Sequence, residues 1–194
     1  MLIKNDPFPH IIIENYLNDE EYALVWREIE FLESKLKLPE KYSAAKNSEG
    51  DYYTDALGIS LDVAYGDRSV SDILSIFNKK IFLNTEFVEE LVDENEYWSC
   101  IQHSNTDYTK LRKYPPSSRY EAHIDPWVNA LVSTTFEKTG GAGGDLFFPK
   151  HSYTIESEDN KTVIFPGWVC HGVTTLQGHD RYAVTKFIHC AAKM

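Results

Sequence analysis

Val163-Ile164-Phe165-Pro166-Gly167-Trp168-Val169-Cys170-His171 reads as a buried, β-branched strand stopped by a Pro-Gly turn and followed by a histidine. The same grammar extends outward over residues 97–190: short runs rich in Val, Ile, Thr, Tyr and Phe, separated by turn residues. Those turns are Pro115-Pro116-Ser117, the glycine cluster at 140–144, Glu158-Asp159-Asn160 and Gln177-Gly178-His179-Asp180. Strands at that spacing build a sandwich or a jelly-roll barrel. Toward the N-terminus, residues 8–17 (FPHIIIENYL) form an expected opening strand closed by Asn18. Asn18 and Glu21 are spaced to cap a helix with Tyr22, Val25, Ile29, Leu32 and Leu36 along one face. Ser69 is expected to cap a second helix with Val70, Ile73, Leu74, Phe77 and Ile81 as its stripe, and Thr85 a short third one ending near Asp93. Between them, residues 38–58 are polar and aperiodic, a long surface loop and a candidate lid. With no repeat and no composition break, residues 1–194 are expected to be one domain. Its helical support elements would lie mostly in 1–95, outside a jelly-roll core of about 97–190.

The 194 residues are 42% hydrophobic and 13% aromatic, which excludes disorder. Lys and Arg number 19 against 30 Asp and Glu, a net charge of −11 that repels phosphate backbones and anionic lipids, so no nucleic-acid partner is expected. No apolar stretch approaches the ~20 residues of a membrane span, and no leader is visible, so neither a membrane partner nor export is expected. Three cysteines, Cys100, Cys170 and Cys190, at long spacings fit neither a disulfide framework nor a thiolate zinc site. Reduced thiols in the cytoplasm account for them.

Function must come from placed residues. In Tyr120-Glu121-Ala122-His123-Ile124-Asp125 an imidazole and a carboxylate stand two residues apart, on the same face of a strand and close enough to share a cation. His171 lies 46 residues after Asp125. Two histidines and one carboxylate on one face of a metal suit a non-haem Fe(II) oxygenase, although His123 alone would equally serve as a hydrogen-bonded histidine at a strand end. Arg181 opens the last strand, and alternation puts it on the face of Ala183 and Thr185, residues sized for an interior. An inward guanidinium needs an anion, either a protein carboxylate or a ligand carboxylate held bidentately. The other histidines, His10, His103, His151, His179 and His189, have no partner at ligand spacing and read as structural or surface residues, His179 being within reach of a site mouth. Trp127, Tyr120 and Trp168 read as core or rim packing in preference to a substrate wall. No Gly-Lys-Ser/Thr follows the 140–144 glycines, so they read as a flexible hairpin.

The ordered series His123-Ile124-Asp125, GGDLFFP at 143–149, VIFPGWVCHGV at 163–173 and GHDRYAVTKF at 178–187, with PFPHIIIENYL at 7–17, resembles the 2-oxoglutarate and Fe(II)-dependent dioxygenases, particularly their prolyl 4-hydroxylase-like branch. The resemblance covers most of the chain and is weakest over about 38–96. It implies a double-stranded β-helix, mainly β with flanking α-helices and cupin-like in its jelly roll, with iron between the two sheets. It implies His123, Asp125 and His171 as iron ligands, Arg181 as the partner of the distal carboxylate of 2-oxoglutarate, and Tyr114 and Thr185 as further cosubstrate-binding residues. Fe(II), 2-oxoglutarate and O2 follow as cofactor and cosubstrates. Halogenating relatives replace the carboxylate ligand, whereas Asp125 is intact, so hydroxylation is implied. Nucleic-acid demethylases of the superfamily carry a second arginine where this chain has Phe187. The branch implies a peptidyl proline as substrate, with other peptide or small-molecule substrates open. The rival reading is a cupin-like metal-binding protein or isomerase without 2-oxoglutarate turnover, which would not need Arg181 ten residues after the last ligand.

Overall fold

The computed structural model describes residues 1–136 and 141–191. In chain order the strands are β1 (Leu2–Lys4), β2 (His10–Ile13), β3 (Leu57–Ser60), β4 (Thr106–Tyr114), β5 (Tyr120–His123), β6 (Val128–Phe136), β7 (Leu146–Phe148), β8 (Tyr153–Ile155), β9 (Lys161–Phe165), β10 (His171–Val173) and β11 (Arg181–His189). The α-helices are α1 (Asp19–Glu33), α2 (Leu61–Ala64), α3 (Asp72–Phe77), α4 (Thr85–Glu94) and α5 (Ser99–His103). All strand pairs are antiparallel. They form a seven-stranded sheet in the order β1-β2-β9-β6-β11-β4-β3 and a four-stranded sheet in the order β5-β10-β7-β8. Two such sheets face to face make the expected jelly roll.

β11 lies near the middle of the large sheet, and eight of its nine residues are buried. One face meets helices: Tyr182, Val184 and Ile188 join Ile29, Leu32, Phe77 and Trp98 in one apolar cluster. The other faces the small sheet, where Phe187 packs with Leu131, Leu146, Phe148 and Phe165. Fully burying side chains of this size stabilises by roughly 1.5–3 kcal/mol each, which anchors the helices to the sheet.

The capping box at the start of α1 forms: the Asn18 side chain accepts from the Glu21 N–H at 2.9 Å, and the Glu21 carboxylate accepts from the Asn18 N–H at 3.1 Å. Other boundaries move. The opening strand is only β2 within 8–17, and Leu36 lies beyond the end of α1. The second helix is capped by Ser71, whose hydroxyl accepts from Leu74 N–H at 3.1 Å; Ser69 lies in a separate turn, and Val70 is exposed. Ile81 falls in a π-turn after α3. Asn84, not Thr85, caps α4. The β grammar begins at Thr106 rather than 97, because Glu96–Trp98 and α5 are helical. The helical first half also supplies β1, β2 and β3 to the large sheet: β1 pairs with the adjacent β2, while β2 and β3 pair with β9 and β4, far along the chain. Residues 38–58 are not a free loop: Lys37 and Gly58 pair across their ends, and Tyr42, Ala44 and Ala56 are buried. Of the 140–144 glycines, Gly140 lies outside the described residues, and Gly143 and Gly144 adopt positive φ.

Within the helix-side core sits a charged group. Lys186 is fully buried and donates to Asp107, which also accepts from Arg68 at 2.6 Å. A buried ammonium without its carboxylate is strongly destabilising. Asp107→Ala is therefore expected to lower the unfolding free energy by about 3–5 kcal/mol, read as a shift of the urea midpoint. A change as small as that of an exposed substitution would show that Lys186 is solvated.

Candidate metal centre

β5 and β10 pair so that His123 and His171 are direct cross-strand partners, and their rings stand 4.5 Å apart. Each imidazole is fixed by its own backbone: Nδ1 of His123 donates to the Glu121 carbonyl at 2.9 Å, and Nδ1 of His171 to the Val169 carbonyl at 2.8 Å. Both Nε2 lone pairs are thereby turned to the same point. Asp125 lies just past the end of β5, so strand alternation does not position it. Its N–H donates to the Gly167 carbonyl at 2.8 Å, and its own carbonyl accepts from Val128 N–H at 3.0 Å. One carboxylate oxygen then stands 3.7 Å from His123 Nε2 and 3.6 Å from His171 Nε2. The three donor atoms lie within 4.8 Å of one another.

Burial keeps the imidazoles neutral. It pushes His171 down to about 3, with His123 adding to the effect, and it pulls His123 below the usual range against the opposing pull of Asp125. His123 is stacked between Tyr120 (4.5 Å) and Tyr53 (5.3 Å), and His171 meets the Phe165 ring edge-on at 4.8 Å. Two neutral imidazoles and a carboxylate converging from one side, with the rest of the sphere open to a cavity, fit a single Fe(II) ion.

The cavity encloses about 740 Å³ of atom-free space out to its mouth. Arg181, Thr185 and Tyr114 line it together with the three donors. Arg181 is fully buried opposite Tyr114 in the β11–β4 register, with its guanidinium 5.0 Å from the Tyr114 ring. Its Nη2 donates to Thr135 Oγ1 at 3.0 Å, whereas Nε and Nη1 have no hydrogen-bond partner among the described residues. Burial works against its charge, and Tyr114 and Asp145 only partly offset this. Gly144 makes room for the arginine stem, since a Cβ there would lie 3.1 Å from Arg181 Cδ.

Sequence reasoning missed Arg112 and Lys110 of β4, which also line the cavity. Alternation from Tyr114 would have found both. Tyr120 faces inward against His123, whereas Trp127 and Trp168 are exposed and do not line the cavity. Phe187 lines the cavity and stacks on Tyr108 at 4.4 Å. His10 is a core histidine bonded to the Phe8 carbonyl and the Tyr153 hydroxyl. His179 Nδ1 bonds the Gln177 carbonyl, and His179 does not line the cavity.

No family model and no curated protein matches the sequence. By structure, the chain is similar to a prolyl-4-hydroxylase from Pseudomonas putida (TM-score 0.65, 10% identity, 94% of this chain and 93% of that one). It is also similar to a prolyl hydroxylase from Trichoplax adhaerens in complex with a hypoxia inducible factor oxygen degradation domain peptide (0.62, 13%, 93% and 83%). A third is the viral collagen prolyl hydroxylase of Paramecium Bursaria Chlorella virus-1 in its 2OG complex (0.57, 13%, 94% and 96%). At these identities the likeness establishes a common fold, a jelly roll.

Two outcomes test the centre. A Cβ on Gly167 would lie 2.4 Å from the Val128 carbonyl oxygen and 2.6 Å from that of Asp125. Gly167→Ala is expected to weaken Mn(II) binding by about 10–100-fold, measured by titration; unchanged affinity would mean that this turn does not position Asp125. Secondly, a histidine held neutral in the fold favours folding above its unfolded value near 6.5 and opposes it as pH falls toward about 3. Metal-free protein should lose stability to urea between pH 7.5 and 5, and His171→Leu should flatten that dependence.

Proposed function

We propose that the chain is a non-haem Fe(II) and 2-oxoglutarate-dependent dioxygenase that hydroxylates a substrate C–H bond. The observation that carries this reading is the pairing, across one cavity, of a neutral His123–Asp125–His171 face with a buried Arg181 whose Nε and Nη1 lack partners. A cupin-like binding protein accounts for the first half of that pair and leaves the second unexplained.

His123, Asp125 and His171 would hold the iron, and Arg181 the distal carboxylate of 2-oxoglutarate through its free donors, with Tyr114 and Thr185 at its sides. Bound together, iron and cosubstrate supply the oxidative chemistry in which O2 and 2-oxoglutarate are consumed and succinate, CO2 and a hydroxylated product are released. The chain contributes orientation and exclusion of water. The Nδ1–H bonds to Glu121 and Val169 keep both Nε2 atoms unprotonated, Phe165 and Phe187 keep the cavity wall apolar, and the Thr135 bond holds Arg181 toward the deep end. The finer reading is a peptidyl proline as substrate, supported by the prolyl hydroxylases of like fold and by the peptide bound to one of them. Residues 1–194 would act as one catalytic unit. Among the described residues no helix is long and apolar enough to cross a membrane, and all three cysteines are free, which supports a cytoplasmic setting.

Anaerobic addition of Fe(II) and 2-oxoglutarate is expected to raise a weak visible charge-transfer band, and admission of air should release succinate. Absence of the band from folded protein would end the dioxygenase reading. Arg181→Ala should raise the 2-oxoglutarate requirement by roughly 100-fold or more while Fe(II) binding is retained. An unchanged requirement would make Arg181 a residue of the fold only.

A further inference from the structure

The cavity carries more positive charge than the proposed reaction uses. Its described lining holds three cationic side chains, Lys110, Arg112 and Arg181, against one carboxylate, Asp125. If the reading above holds, on which this inference rests, the dication, Asp125, the dianionic cosubstrate and Arg181 are together neutral. Arg112 and Lys110 are left over.

Neither resembles a structural cation. Arg112 is 5% exposed, yet its Nε has no hydrogen-bond partner among the described residues, and its side-chain bonds are neutral ones, a long 3.4 Å contact from Nη1 to Thr185 Oγ1 and one with the Tyr42 hydroxyl. The buried Lys186 is matched by Asp107, whereas no ion pair among the described residues includes Arg112. Among the described residues Lys110 bonds only the Ser43 carbonyl, at 2.9 Å, in a segment that also lines the cavity.

Arg112 stands next to Arg181 in the sheet, since it pairs with Ala183 in the β11–β4 register and its charge opposes that of Arg181, but its contacts and those of Lys110 run toward the other end of β11. Phe187 lies six residues along β11 from Arg181, about 20 Å at the rise of a strand. The Lys110 ammonium lies 5.7 Å and the Arg112 guanidinium 5.8 Å from the Phe187 ring, and the latter is also 5.3 Å from the Tyr120 ring that stacks on His123. The two cations therefore meet at the Phe187 ring, with Arg112 between that ring and Thr185 and beside the tyrosine that stacks on a metal donor, whereas Arg181 lies against Tyr114.

We propose that Arg112 and Lys110 form a second anion subsite, which binds a carboxylate of the substrate that is hydroxylated. The substrate portion entering the cavity then bears a carboxylate close to the reacting carbon, either as a free small acid or as an acidic side chain or C-terminus of a peptide. An internal, neutral prolyl segment does not complete this pocket. A planar carboxylate matches the fork of Arg112, with Lys110 as a point charge beside it. Burial pushes Lys110 down to about 8, so an anion would also restore its full charge near neutral pH.

The test uses protein loaded with Mn(II) and 2-oxoglutarate, which binds without turning over, titrated calorimetrically with matched pairs. One arm pairs amino acids and short-chain acids with their amides. The other pairs short peptides carrying Glu or a free C-terminus with their Gln or C-terminally amidated counterparts. At least one acid is expected to bind about tenfold or more tightly than its neutral partner, and the arm in which it appears identifies the source. Arg112→Met should erase that preference, Arg112→Lys should restore part of it, and Lys110→Met should reduce it, while 2-oxoglutarate affinity stays within roughly threefold of the parent. Should Arg112→Met fail to fold, Arg112→Gln and Lys110→Met carry the same comparison. The assignment is overturned if no acid is preferred over its neutral partner, or if losing Arg112 weakens 2-oxoglutarate binding by about tenfold or more, which would give Arg112 to the cosubstrate. Failure of the parent protein to take up 2-oxoglutarate is a different result, which sinks the dioxygenase reading itself.

Discussion

β11 is covered on both faces, and the rest of the molecule is arranged around that constraint. A strand at the sheet edge could leave a polar side chain in water, but from Arg181 to Ile188 every residue is buried and each must match one of two interiors. The outward set, Tyr182, Val184 and Ile188, makes the helices obligatory, because without α1, α3 and the Trp98 turn that face would be open apolar surface. The inward set, Arg181, Ala183, Thr185 and Phe187, sets the profile of the cavity from its deep end to its aromatic wall. Lys186 is the exception on the outward face, and its match with Asp107 shows how the fold treats a buried cation that it means to neutralise internally. Arg181 and Arg112 are equally buried and lack such a match, and that contrast within one sheet is what separates structure from site.

The small sheet solves a different problem, that of presenting unprotonated donors. Cross-strand pairing brings the rings together, but pairing alone leaves the tautomer free. The carbonyls of Glu121 and Val169, each two residues before its histidine, take the Nδ1 protons and so remove that freedom. The third donor comes from outside the ladder. Asp125 is held through its backbone by the Pro166-Gly167 turn, whose lack of a side chain allows an approach that any Cβ would block. The run that opens the reading of the fold, residues 163–171, thus contributes β9 to the large sheet, the turn that seats Asp125 and the second histidine.

Much of this was legible because it is local. Alternation along the last strand identifies the inward face, the Asn18–Glu21 spacing identifies the start of α1, and the two-residue offset of His123 and Asp125 brings them to one place, although the turn rather than the pleat is responsible. What was not legible depends on partners distant in sequence. Nothing within residues 2–13 says that they will extend a sheet built from the second half, and nothing near Ser69 says that Ser71 is the better cap, since Glu28 of α1 helps to fix it by accepting from its hydroxyl at 2.7 Å. Arg112 sits between Leu111 and Lys113, and nothing local to that run marks its side chain as inward. Only the covering of β4 by residues 42–45 and the opposite sheet turns its alternate face into a cavity wall.

Net charge is a poor guide to what such a cavity accepts. The chain carries −11 overall, which suggests a neutral or basic partner, while the described lining of the cavity has a cationic excess. The two act at different ranges. At physiological ionic strength exposed charges are screened beyond about 8 Å, so the acidic exterior acts chiefly on the approach of a ligand and its rate. The buried guanidinium groups of Arg112 and Arg181 are shielded from water and salt, and their attraction for an anion is stronger by the ratio of the effective dielectric constants. An anion that reaches the mouth therefore meets an attraction larger than the repulsion it has crossed. Selectivity then depends on how many cations remain unmatched inside, a quantity fixed by the two faces of β4 and β11 and not by composition.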